Sequence, residues 1–88
     1  MDMAKRFREF RYQVQRRDNA VMQSEYEKDG VPEYSQTEWQ DVLKKSYPFK
    51  TASRHFNLQV ADYGRAQDVR LVDTKTGRVV SEHITEAA

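Results

Sequence analysis

The sequence contains no cysteine, and only three glycines and two prolines among its 88 residues. Without thiols there is no disulfide framework, no thiolate nucleophile and no zinc ribbon. The two histidines, His55 and His83, cannot close a structural zinc site by themselves. Glycines at 30, 64 and 77 stand too far apart to form a phosphate-cradling loop. Long apolar runs are missing as well. With a mean hydropathy of −0.99 and no apolar stretch near 20 residues, a transmembrane helix is excluded. No apolar segment follows Lys5-Arg6, so a secretory signal is not expected and a cytoplasmic location is. No cofactor or metal is expected either.

Charge and aromatic rings are what the chain does have. Charged residues make up 33% and hydrophobic ones 38%, which borders on disorder. The net charge of only +1 and an aromatic share of 11% argue for folding, since each buried ring removes roughly 150–250 Å² from water. The length allows one domain, residues 1–88. The small total hides a partition. Residues 1–17 hold six cations against two anions, for +4. Residues 18–46 hold three against seven, for −4, and residues 47–88 hold six against five, for +1.

Residues 6–17 fit two periods. Phe10, Tyr12 and Val14 alternate with polar residues as in a strand, while Met3, Phe7, Phe10 and Val14 also follow a helical stripe. The preference of Phe, Tyr and Val for strands selects the strand. Asp18-Asn19 reads as a turn and Lys28-Asp29-Gly30-Val31-Pro32 as a loop. Ser35 with Glu38 and Thr37 with Gln40 form two overlapping capping boxes. They predict a helix carrying Trp39, Val42 and Leu43 on one face and ended by Pro48. Trp39 is expected in the core. Thr51 then caps a helix over 52–63, with Ala52, Phe56, Val60 and Tyr63 on its apolar stripe and Gly64 at its C-terminal cap. Residues 68–84 read as a hairpin, with Val69, Leu71 and Val72 in one arm and Val79, Val80 and Ile84 in the other. The expectation is an α+β fold in β-α-α-β-β order: a small antiparallel sheet of about three strands, one or two helices on one face, and the other face open.

Catalysis finds little footing. Ser53 and His55 are two residues apart, so on a helix they point to different sides and do not form a nucleophile–base pair. No two carboxylates share an apolar setting that would tune them for acid–base work. A chain this short does not easily enclose a pocket of several hundred Å³. A non-enzymatic role is therefore expected. One binding surface is the basic N-terminal strand, with Arg8, Arg11, Gln13, Arg16 and Arg17 as nucleic-acid contacts through phosphate neutralisation and stacking. A pI near 8.0 lies below the range usual for dedicated nucleic-acid domains. The other surface is the acidic, aromatic stretch holding Glu25, Tyr26, Glu27, Asp29, Glu33 and Tyr34, which suits a protein partner. An open sheet edge also suits a homodimer.

The chain closes on Asp68-Val69-Arg70-Leu71-Val72-Asp73-Thr74-Lys75-Thr76-Gly77-Arg78-Val79-Val80, a hairpin type shared by many unrelated proteins. With its basic first segment and capped helices, the small cysteine-free chain resembles the accessory proteins of bacteriophages and other mobile elements. That resemblance implies an inhibitor or modulator of a bacterial host protein, such as a defence or transcription component, acting in the host cytoplasm. No functional residue carries over with it. Protein binding is thus the first expectation and nucleic-acid binding the second.

Overall fold

Residues 3–18 and 38–85 are described by the computed structural model. In chain order they form helix α1 (Met3–Arg8), strand β1 (Tyr12–Asp18), strand β2 (Gln40–Asp41), helix α2 (Phe49–Tyr63), strand β3 (Gln67–Asp73) and strand β4 (Arg78–His83). The four strands make one antiparallel sheet in the order β2-β1-β3-β4. The class is α+β, as the sequence implies. The strand number and the order of elements differ from the expectation.

Strand alternation explains the layering. On β1, Tyr12, Val14 and Arg16 face α2, while Gln13, Gln15 and Arg17 face the opposite side. Val69 and Leu71 of β3 join Tyr12 and Val14, and Ala52 of α2 closes the core against them. Val42, Leu43, Tyr47, Phe49, Phe56 and Val60 pack around this centre. Phe49 stands edge-on to Tyr12 at 5.4 Å and meets Phe7 of α1 at 4.8 Å, which ties α1 to the start of α2. Burial pushes the Tyr12 hydroxyl above its ordinary pKa, with the nearby Asp73 carboxylate adding to it.

Three expectations are corrected. Residues 6–17 are not one strand: the chain is helical to Arg8 and extended only from Tyr12. Both periods were real, one in each half, and the contact of Phe7 with Phe49 gives the helical half a partner. The helix expected around Trp39, Val42 and Leu43 is instead the short strand β2 followed by an irregular segment. Its backbone serves β1: Val42 N–H donates to Val14 O (2.9 Å), and Tyr12 and Tyr47 exchange bonds of 3.0 and 2.8 Å. Ser35 and Thr37, the expected caps, lie outside the described residues. Finally, α2 begins before Thr51, with Pro48 at its N-cap and no side-chain cap bond.

The hairpin stands where the sequence puts it. Gly77 N–H closes the turn on Asp73 O at 2.7 Å, and Lys75 N–H bonds Asp73 Oδ1 at 3.0 Å. Gly77 has φ +75° and open space around it, so its backbone angle rather than crowding calls for glycine. Gly64 is the reverse case. Its φ of −63° is ordinary, not the left-handed cap expected there. A Cβ would strike Val60 O and approach His83 Nε2 at 2.8 Å, and that close packing calls for glycine.

Candidate binding surfaces

The five polar residues proposed as nucleic-acid contacts do not form one surface. Arg8 is exposed on α1. Arg11 is only 7% exposed, its Nε bonds Asp73 Oδ1 at 2.8 Å, and Glu9 Oε2 lies 3.4 Å from its Nη1. The hydrogen bond to Asp73 raises the Arg11 pKa further above its already high value. For Asp73, burial alone would raise the carboxyl. The Arg11 bond and the Lys75 and Thr76 backbone donors outweigh it and hold the group below the usual carboxylate range. Lys75 Nζ reaches Glu9 Oε2 at 2.7 Å, and that bond chiefly keeps Glu9 low as well. Arg11 is therefore the centre of a structural ion-pair network joining the entry of β1 to the hairpin turn.

Gln13 is also interior. Its Nε2 donates to Leu43 O (3.1 Å), and its Oε1 accepts from Leu43 N (3.0 Å) and Val14 N (2.9 Å). Val14 N faces the gap where the segment after Val42 leaves β1, and the Gln13 amide stands in for the absent strand backbone. Arg16 lies on the helix side. It bonds Gln59 Oε1 and places its guanidinium 3.9 Å above the Tyr63 ring.

Arg17 is the one β1 arginine on the sheet face away from α2, and it has company that the sequence reading missed. Its Nε bonds Asp68 Oδ2 at 2.9 Å, and its guanidinium lies 4.4 Å from the Trp39 ring. Arg70 of β3 lies 4.2 Å from the same ring and bonds Gln15 Oε1 at 2.7 Å. Burial lowers the Arg70 pKa, and the neighbouring Arg17 charge lowers it further. Trp39 is thus a half-buried cover over two guanidiniums rather than a core residue. Around them stand Asp68, Asp41 beside Gln15, and Glu82 opposite Arg70. Three carboxylates against two guanidiniums leave this face without the positive excess that phosphate binding needs. Only the register reveals the cluster, because Arg17, Trp39 and Arg70 share no local pattern.

The residues proposed for a protein partner, Glu25, Tyr26, Glu27, Asp29, Glu33 and Tyr34, lie outside the described residues. Another feature was missed. Between Leu71 and Val72 the β3–β4 register shifts by a bulge, so Val79 pairs with Val72 and Ser81 with Leu71. Val80 is the extra residue. Val79 and Val80 are both open to solvent, 37% and 39% exposed, on β4, one of the two edge strands of the sheet.

His83 bonds Gly64 O at 2.8 Å, and His55 packs near Tyr47 at 6.4 Å between ring centres. Among the described residues, no three His, Asp or Glu side chains group closely enough to hold a metal ion. No described helix is long and apolar enough to cross a membrane. No protein-family model matches the chain, and neither curated proteins nor solved structures yield a match.

Proposed function

We propose that the chain is a non-enzymatic protein-binding module that meets its partner through the outer strand β4. The observation that carries this is the pair of consecutive valines, Val79 and Val80, exposed at a bulge on an edge strand. Exposed apolar side chains on an edge are typical of recognition surfaces. The competing nucleic-acid role for β1 has less support, because Arg11, Gln13, Arg16 and Arg17 are each held by another part of the fold. The resemblance to small phage accessory proteins makes a bacterial host protein the partner class to test.

The test is capture from a nuclease-treated bacterial lysate by the immobilised chain, compared with its Val80→Glu variant. Val80 is a surface residue, so the variant should keep its circular dichroism spectrum. The expected result is one protein retained by the parent and lost from the variant. Equal retention by both, or capture that disappears on nuclease treatment, refutes the proposal.

A further inference from the structure

A second surface lies at the end of the molecule where α1 meets the start of α2. Phe7 on α1 packs against Phe49, which brings Lys5 to the same end as Lys50 and, one turn on, Arg54. Lys45, with Lys44 next to it in sequence, lies in the segment between β2 and α2. Lys45 Nζ sits 5.6 Å from the Phe10 ring centre and 5.4 Å from that of Tyr47. All five cations are exposed, and none forms an ion pair with a described residue. The carboxylates nearby are committed elsewhere, Glu9 to Lys75 and Arg11, and Asp73 to Arg11. Phe10 is the most exposed large apolar side chain among the described residues, at 64%.

We propose that this end binds single-stranded nucleic acid, with Lys5, Lys44, Lys45, Lys50 and Arg54 neutralising phosphates and Phe10 stacking on an unpaired base. Two features favour this ligand. An acidic peptide would use the cations and leave Phe10 in water, whereas a base offers it a flat π-face. A duplex hides its bases and makes only the phosphate contacts. A membrane surface is disfavoured because α1 has six residues, too few to lay a sustained apolar face into a bilayer interface. The residues involved are distinct from Val79 and Val80, so either site can fail without the other.

The test is fluorescence anisotropy with a labelled oligothymidylate of about 15 nucleotides. Five neutralised phosphates predict a slope of log affinity against log salt of about −3.5, or about 100-fold weaker binding at 200 mM than at 50 mM. Phe10→Ala should weaken binding about tenfold and leave that slope unchanged, because stacking releases no counterions. Lys45→Ala with Lys50→Ala should flatten the slope by about 1.4. All these positions are exposed, and thermal melts of the variants should match the parent. Absence of binding at 50 mM salt overturns the proposal. So does a folded Phe10→Ala variant that binds as tightly as the parent, a duplex bound as well as the single strand, or displacement by polyglutamate as effective as by unlabelled oligonucleotide. The last result would assign the surface to an acidic protein.

Discussion

Replacing Gln13 by alanine tests the account of β1 most directly. Gln13 is 5% exposed, and its amide makes three bonds of 2.9–3.1 Å to Leu43 O, Leu43 N and Val14 N. Truncation would leave three backbone groups without partners. An unsatisfied buried group costs roughly 1–3 kcal/mol. Leu43 is half-buried, so water can reach part of the gap and a loss of about 3 kcal/mol is expected. Total stability for a domain this small is about 4–13 kcal/mol, so the fold should survive, with its melting temperature lowered by about 12–24 °C. Gln13→Glu keeps the acceptor for the two N–H groups but sets a carboxylate against Leu43 O. That variant should be weakest near neutral pH. Acid should partly restore it, because the protonated acid again donates a hydrogen bond and the raised folded-state pKa favours the proton. Urea denaturation at two pH values measures both effects, and amide exchange at Leu43 and Val14 locates them. A Gln13→Ala loss below about 1 kcal/mol, or unchanged exchange at Leu43, would refute the idea that the side chain replaces a strand backbone.

The Asp73 carboxyl, held below its ordinary range, contributes stability that is present above the unfolded-state pKa and lost as pH falls through the folded-state value. Asp73→Asn should therefore lower the urea midpoint at pH 7 and flatten its decline below about pH 4; an unchanged acid limb would sink this. Gly64→Ala should destabilise even though the residue's backbone angles suit alanine. The new methyl group meets Val60 O and displaces His83 from Gly64 O. A double-mutant cycle with His83→Ala should recover part of the loss, and strict additivity would show that His83 is not the obstacle.

What the sequence made legible was local. The hairpin was readable because its two valine-rich arms, its Asp73 acceptor and its Gly77 all lie within one short stretch. The helix over Ala52, Phe56 and Val60 was readable because periodicity does not depend on a partner. The segment from Glu38 to Tyr47 misled because its helical spacing was outweighed by β1, whose free backbone donors and acceptors it satisfies. The site residues failed for the same reason. Arg11 looks like a phosphate contact until Asp73, 62 positions away, is seen 2.8 Å from it. Gln13 looks like a surface amide until Leu43 closes on it. Conversely, the guanidinium pair under Trp39 has no sequence signature, since it arises from the β1–β3 register alone.

That register has a consequence for how the protein is made. β1 is the second strand in the sheet order, yet its long-range partner β3 is synthesised late: Asp18 and Gln67, which bond at 2.7 Å, are 49 positions apart. At about 5–20 residues per second, a translating ribosome takes roughly 2–10 s to supply β3 after β1 is complete. Over that interval Tyr12 and Val14 lack the β3 side chains that close the core around them, and Arg11 awaits the carboxylate that will receive it. The hairpin of β3 and β4, by contrast, can close within microseconds of release. β1 thus waits for its long-range partner through the synthesis of β2 and α2, and the nascent chain's exposure to chaperones and to its own copies over that time is set by topology rather than by the stability of the finished fold.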